Sequence, residues 1–262
     1  MHDANNGISV VISTYNSEKF IKKTLLSLEN QKKPPEEIIF SDDGSTDKTT
    51  EIIELWLKKN INIKCKILKN QHGGPGYARN IGINNSNFEW IAFLDSDDTW
   101  DKNKILETKK AISNEMNINF IAHYEIHEDK HGIRREISRK LKDFENSKKK
   151  LSKFLYISNI FSTSAVICKK SLLKERGLFD PNLPNGQDYD LWLKLSPKIN
   201  LYIIKKNLGT YYDTINNISS RPYFKRIKAE LIICFRYRKL VNFSFFLIKL
   251  FKIIINKNWF KI

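Results

Sequence analysis

Three carboxylates, Asp95, Asp97 and Asp98, crowd into four positions directly after the apolar run Trp90-Ile91-Ala92-Phe93-Leu94. An unbroken run of this kind suits a strand buried on both faces. Carboxylates held so close repel one another unless positive charge lies between them. On an extended backbone Asp95 and Asp97 point to one side and Ser96 to the other. Hard divalent cations take oxygen ligands, and open α/β sheets bind ligands beyond the carboxyl ends of their strands. The spacing therefore predicts a cation carrying a diphosphate. A plainer reading makes the stretch a strand-to-helix turn capped by Asp98 or Thr99. Two further acidic stretches, Asp42-Asp43-Gly44-Ser45-Thr46-Asp47 and Gln187-Asp188-Tyr189-Asp190, read locally as turn formation and as favourable charge at a helix start.

The elements that must carry these acids alternate. Ile8 to Thr14 is β-branched and reads as a strand, followed by a helix capped at Asn16 or Ser17 with Phe20, Ile21, Leu25 and Leu28 on one face. Glu37 to Ser41 is a second strand, and Ser45 or Thr46 caps the next helix. Ile61 to Leu68 alternates as a third strand, and Gly73-Gly74-Pro75-Gly76 opens a helix over Tyr77 to Asn84 before the acid-ended strand. Four strand–helix repeats predict a doubly wound parallel sheet. Beyond Trp100 the pattern predicts a helix over Lys102 to Met116, a strand over Phe120 to Ile126 and a mobile charged loop over Asp129 to Lys150. A helix over Leu151 to Ile157, a strand over Thr163 to Cys168 and a short helix closed by Gly177 come next. A helix starting at Gln187 and two short strands, Leu201 to Ile204 and Gly209 to Tyr212, complete the compact part. The first turn, Thr14-Tyr15-Asn16-Ser17, lacks the G-x-G-x-x-G of a dinucleotide site, and Gly73 to Gly76 lacks the ending of a P-loop.

Five blocks in order, Val10 to Asn16, Ser41 to Asp47, Ala78 to Gly82, Phe93 to Asp98 and Gly186 to Trp192, resemble the family 2 glycosyltransferases over roughly residues 7 to 213. The resemblance implies an α/β chain of GT-A type, Rossmann-like, with a mostly parallel central sheet flanked by helices. It implies inverting transfer of a sugar from a UDP-sugar to a hydroxyl of a glycan acceptor, with Mn²⁺ or Mg²⁺ as cofactor. Thr14 and Tyr15 would hold uracil and ribose, and Asp42 would accept the uracil N3–H. Arg79 would meet the diphosphate or pair with Asp95, and Asn80 would brace the loop. Asp97 would ligate the metal, with Asp95 on the ribose or sharing the ion, while Ser96 and Asp98 complete the nucleotide-sugar set. Asp188 would be the general base, and Gln187 stands where relatives often carry Glu. Gln187 and Trp192 would face the acceptor, Trp192 either stacking on a sugar or packed in the core. A catalytically silent nucleotide-sugar-binding or scaffold protein at the membrane surface is the alternative; the acids at 95, 97 and 188 speak against it.

Residues 1–220 are expected to form the transferase domain, 1–100 binding nucleotide and 101–220 binding acceptor, with 221–262 a basic amphipathic helical extension. Hydrophobic content of 41% and charged content of 28% fit a globular chain, while a formal charge of +16 calls for an anionic partner. From Arg221 through Lys239 seven cations face the single acid Glu230, followed by an apolar run punctuated by Lys249, Lys252 and Lys257. That composition suits helices lying on an anionic membrane; packing on the core or a homo-oligomer contact would use the same pattern. No recognition motif accompanies the charge, so nucleic acid is not expected. No apolar leader follows Met1 and no run approaches ~18 apolar residues. Cys65, Cys168 and Cys234 form neither a disulfide framework nor a zinc spacing. A cytoplasmic protein at the inner face of the membrane, acting on a lipid-linked, lipopolysaccharide-type or capsule-type acceptor, is the resulting expectation.

Overall fold

The computed structural model describes residues 6–60, 63–147, 149–213 and 223–255, with side chains described for 227–253 in the last segment. Strands β1 (Ile8–Thr14), β2 (Glu37–Asp42), β3 (Cys65–Lys69) and β4 (Trp90–Phe93) run parallel in the order β3-β2-β1-β4. Helices α1 (Ile21–Glu29), α2 (Thr49–Lys59) and α3 (Pro75–Asn84) connect them. Because side chains alternate along a strand, β1 feeds two cores. Val11 enters one with Ile91 and Phe93, and Val10 and Ile12 enter the other with Ala92 and Leu94. Register sets Thr14 opposite Asp42, so the functional ends of β1 and β2 finish side by side. Helix α3 lies tight on the sheet: a Cβ on Gly82 would sit 2.5 Å from Val11 Cγ1.

The second half extends the same sheet with strands of mixed direction. These are β5 (Thr99–Trp100), β6 (Phe120–Glu128), β7 (Arg134–Glu136), β8 (Val166–Lys169) and β9 (Leu201–Tyr212). The order continues β4-β8-β6-β9-β5, β8 being antiparallel to both neighbours, with β7 paired to β6. Helices α4 (Lys104–Asn114), α5 (Arg139–Glu145), α6 (Leu151–Ile157), α7 (Lys170–Arg176) and α8 (Gln187–Leu195) cover it.

Several expectations change here. The stretch expected as a mobile loop over 129–150 contains β7 and α5, because Asp129 accepts backbone bonds from His131 and Ile133 and closes a hairpin. The two short strands over 201–212 are one strand. Its polar segment Lys205-Lys206-Asn207 is exposed, and the pairing with β6 shifts register between His123 and Glu125. The third strand begins at Cys65 rather than Ile61, and residues 61–62 lie outside the described residues. None of the expected caps, Asn16 or Ser17 and Ser45 or Thr46, caps a helix: α1 begins after Phe20 and α2 after Lys48. Asp47 organises the start of α2, accepting from Thr49 N and Oγ1.

Beyond the gap, α9 (Tyr223–Arg236) and α10 (Phe243–Ile255) pack on the core. Ala229, Ile233, Cys234 and Ile253 are buried with Trp192 and Phe93, and the Tyr156 hydroxyl donates to Cys234 O at 2.9 Å. Core packing, one of the alternatives read from the sequence, therefore accounts for their inner face. Arg221 and residues 256–262, part of the same expected extension, lie outside the described residues. No described helix is long and apolar enough to cross a membrane.

Candidate active site

Where β1 and β2 end, the acids organise backbone. Asp42 is buried; its Oδ1 accepts from Thr14 Oγ1 at 2.7 Å and Ser45 Oγ at 2.6 Å, and its Oδ2 from Ser45 N at 2.9 Å. Asn16, in the left-handed region at φ +47°, accepts from Thr46 N at 2.8 Å and locks the two loops together. Tyr15 stays open, 48% exposed, and stacks on His72 with ring centroids 4.5 Å apart. Reading Asp43 as a turn former missed its reach. Its carboxylate accepts from Gly73 N at 2.8 Å and Gly74 N at 2.9 Å, and lies 2.9 Å from His72 Nδ1. It thereby ties the glycine loop before α3 to the end of β2. Aspartate followed by glycine signals a turn whether or not the carboxylate also serves a segment thirty residues away.

At the end of β4 the backbone turns instead of extending, with Asp98 N donating to Asp95 O at 3.1 Å. The alternation expected for Asp95 and Asp97 therefore does not apply, yet both residues stay half-buried where Ser96 and Asp98 are buried. Arg79 on α3 donates to Asp95 Oδ1 at 2.6 Å, the pairing alternative read from the sequence. Ser96 and Asp98 were expected to meet the donor; both side chains turn into the protein. Ser96 Oγ shares a hydrogen bond with Ser17 Oγ at 2.7 Å, and buried Asp98 accepts from Ser164 Oγ at 2.6 Å. Burial first, then Asp95 and Asp97, pushes the Asp98 carboxyl well up. Its Oδ1 has no hydrogen-bond partner among the described residues.

This donor set bears on the expected metal. Among the described residues no group of three or more His, Cys, Asp or Glu is arranged to hold an ion. Mg²⁺-type ions in nucleotide sites usually take one or two carboxylates, with phosphate and water completing the shell. Two accessible carboxylates backed by an orphaned buried carboxyl oxygen fit an ion shared with a diphosphate. They do not fit a closed protein cage.

Behind the turn sits a buried polar group that sequence reasoning missed: Lys104, His123 and Glu125. Burial pushes Glu125 up to about 7, against a hydrogen bond from Ser162 and the charge of Lys104. Burial likewise holds Lys104 well below its ordinary range, and burial together with Lys104 does the same to His123. A lysine in the first turn of a helix ordinarily reads as solvated, so nothing in the sequence marked it.

The third acid stands at the start of α8, which opens after Gly186 in the left-handed region at φ +68°. Asp188 is half-buried, and Asn159 Nδ2 donates to its Oδ2 at 3.1 Å. Burial pushes the carboxyl up, the Tyr189 N–H and Arg79 pull it down, and Asp95 pushes it up again. Arg79, Asp95 and Asp188 therefore share one local field, which joins the donor turn to the base candidate. The other two residues expected near the acceptor are occupied elsewhere. Gln187 is buried, donates to Leu183 O at 2.7 Å and packs against Gly76. Trp192 is fully buried against Phe93, Phe120 and Phe179, with centroids 6.2, 5.4 and 6.2 Å away, so the packing alternative holds for it. Asn80 braces the loop as expected, exchanging two hydrogen bonds with the Phe179 backbone. Asp190 is buried and pairs with Arg236 of α9 at 2.6 Å.

An α/β sheet with acids gathered beyond the ends of its parallel strands is the arrangement in which open sheets bind ligands. Comparison with known proteins makes this specific: residues 9–176 match the model of glycosyl transferase family 2, and the chain belongs to that family. Its fold is GT-A-like. It is 32% identical over 210 residues to an uncharacterized glycosyltransferase of Rickettsia conorii, 77% of this chain but 32% of that protein. It is 30% identical over 200 residues to the GalNAc(5)-diNAcBac-PP-undecaprenol beta-1,3-glucosyltransferase of Campylobacter jejuni, 76% of this chain and 62% of that protein. With Staphylococcus aureus poly(ribitol-phosphate) beta-N-acetylglucosaminyltransferase TarS, 40% identity extends over 106 residues, 40% of this chain and 18% of that protein. The chain thus spans only a part of these relatives. Its fold is also that of S. aureus TarS 1–349 in complex with UDP-GlcNAc, with TM-score 0.68 at 23% identity, covering 87% of this chain and 66% of that one. A mannosyltransferase from Pyrobaculum calidifontis in complex with GDP-Man and Mn²⁺ gives TM-score 0.70 at 15% identity, covering 95% and 70%.

Proposed function

We propose that the chain transfers a sugar from a UDP-sugar to a hydroxyl of a glycan acceptor by direct displacement with inversion, residues 1–100 holding the donor and 101–220 the acceptor. The Arg79–Asp95 ion pair, 2.6 Å long at the turn after β4, is the observation that carries this reading; the Asp188 carboxyl lies within reach of both charges, Arg79 drawing it down and Asp95 pushing it up. Tyr15 supplies an exposed aromatic face for a nucleobase, next to Thr14 and Asp42. Arg79 offers its guanidinium to the diphosphate edge, held in place by Asp95. Asp97, with Asp95, would hold Mn²⁺ or Mg²⁺, whose charge offsets that developing on the departing diphosphate.

Asp188 accepts the acceptor hydroxyl proton as that oxygen bonds to the anomeric carbon; the bond from this carbon to the diphosphate oxygen breaks, and UDP leaves with the electron pair. A carboxyl pushed up by burial is a stronger base once ionised than one in water. Asn159 keeps the carboxylate oriented. The Campylobacter relative is named for a substrate on PP-undecaprenol. With the basic face of α9 and α10, that name supports a lipid-linked acceptor and a peripheral position on the inner face of the membrane.

Thermal unfolding with UDP, GDP and CDP, and with their sugars, each with Mn²⁺, Mg²⁺ or chelator, tests the donor assignment. A ligand at a hundred times its dissociation constant adds about 2.7 kcal/mol, a rise of roughly 5–10 °C for a chain of this size. A metal-dependent rise with UDP and one UDP-sugar is the expected result. A rise with GDP alone would reassign the base site, and no response to any nucleotide would favour the scaffold.

A further inference from the structure

The outward face of α10 is apolar where solvent should favour polar residues. Phe243 is 71% exposed, Leu247 46%, Ile248 51% and Phe251 60%, at spacings of four, five and eight. Those spacings place the four side chains on one side of the helix. The opposite side is already used: Ile253 is buried, and Phe246 and Leu250 pack on the core. A helix stapled to a domain by one face and carrying four large exposed apolar side chains on the other marks an interaction surface.

Charge selects the occupant. From 227 to 253 the two helices and the turn between them carry Lys228, Arg236, Arg238, Lys239, Lys249 and Lys252 against the single acid Glu230. Arg236 is spent on Asp180 and Asp190, while Lys252, next to Phe251, and Lys239, four residues before Phe243, are exposed. A second copy docking through the same face would set these cations against their own counterparts. An anionic bilayer complements both components, taking the apolar side chains below its headgroups and the lysines among its phosphates.

We propose that the stripe Phe243, Leu247, Ile248 and Phe251, bordered by Lys239 and Lys252, is the surface that docks this chain on an anionic bilayer. It rests on the reading of a lipid-linked acceptor above and gives it a place. On the inner side of the same helix, Lys249 Nζ donates to Ile157 O at 3.4 Å and lies 5.3 Å from the Tyr189 ring centroid. Ile157 ends the helix that leads into Asn159, and Tyr189 follows Asp188. Helix α10 thus meets bilayer on one side and the supports of the base on the other, which brings a membrane-held acceptor to the catalytic half.

The test is co-sedimentation of the full chain with vesicles of phosphatidylcholine, with and without phosphatidylglycerol. Binding to the anionic vesicles alone, weakened by salt, is expected. The double variant Leu247→Glu/Phe251→Glu should lose at least roughly tenfold in partitioning. Phe243→Ser, at the most exposed position, should lose less and checks the surface independently of the double variant. Both should keep the wild-type melting transition and UDP response. Unchanged partitioning of the double variant, or no binding by the wild-type chain, would refute the surface. So would an oligomer dissolved by the double variant in a chain that ignores vesicles, which would reassign the stripe to self-association. Vesicle binding without any nucleotide response would leave the surface standing and overturn the enzymatic reading; nucleotide response without vesicle binding would do the reverse.

Discussion

Asp42, Asp43 and Asp47, at and just after the end of β2, and Asp188, at the start of α8, are held in opposite ways. Asp42 accepts three hydrogen bonds, and Asp43 takes two backbone N–H groups. At Asp47 partial burial pushes the carboxyl up, but hydrogen bonds from Thr49 and Glu18 outweigh it and hold the group below its ordinary range. These carboxylates are satisfied by loops and shape them. Asp188 accepts one side-chain hydrogen bond, from Asn159, and is pushed up. Ionising it within the fold costs stability, a cost it shares with buried Asp98 and Glu125. The difference separates acids that shape loops from the acid proposed to act as the base.

The largest break in this comparison concerns a residue without a chemical task. Trp192→Ala should cost about 3–5 kcal/mol, as for other buried aromatics, measured by denaturant unfolding. Trp192→Phe should cost less and leave the acceptor KM unchanged. A raised KM with intact stability would return Trp192 to the acceptor site. Asp43→Ala comes next. It removes the acceptor of the Gly73 and Gly74 amides, which water can partly replace because Gly73 is exposed and Gly74 half-buried; the cost should be about 0.5–1.5 kcal/mol per bond, with UDP binding weakened through the loop rather than through contact.

Arg79→Met sharpens the comparison because it touches both halves. Loss of the partly exposed pair with Asp95 should cost about 1–2 kcal/mol. Because Arg79 also draws the Asp188 carboxyl down, its removal should move the ascending limb of the pH–rate profile to higher pH. An unmoved limb would separate Asp188 from that field. The smallest effect is on stability at Asp188 itself. A carboxyl whose folded value lies above its unfolded value contributes stability below the ordinary Asp range, near 3.9, and loses it as pH rises through the folded value. At neutral pH, Asp188→Asn should therefore melt at or slightly above the wild type, and a lower melting temperature would show that the ionised carboxylate supports the fold.

What was legible in the sequence follows the same division. The β-branched run Ile8 to Thr14 and the apolar run ending at Asp95 specify parallel buried strands, and their acids mark the strand ends without further information. The acceptor half resisted for physical reasons. Its long strand β9 carries Lys205-Lys206-Asn207 where the register shift leaves them exposed, which erases the alternation. Its hairpin at Asp129 is closed by two backbone bonds to one carboxylate, in a stretch without period. The roles of Ser96, Asp98, Gln187 and Trp192 depend on which way a side chain faces after a turn or in the first turns of a helix. Spacing alone does not decide that. Lys104 opens α4 and Glu125 lies on β6, so their mutual charge effect comes from tertiary packing that no local pattern encodes.

The central claim is that Asp188 acts in the chemical step and not in holding the donor. Its most direct test compares Asp188→Asn with the wild type in two assays: the affinity for UDP with metal, by calorimetry, and the release of UDP from a UDP-sugar in the presence of acceptor. The account predicts unchanged UDP affinity and a turnover reduced about 10²–10⁴-fold, the range for loss of a general base. Turnover close to wild type, or affinity and turnover falling together, would contradict it.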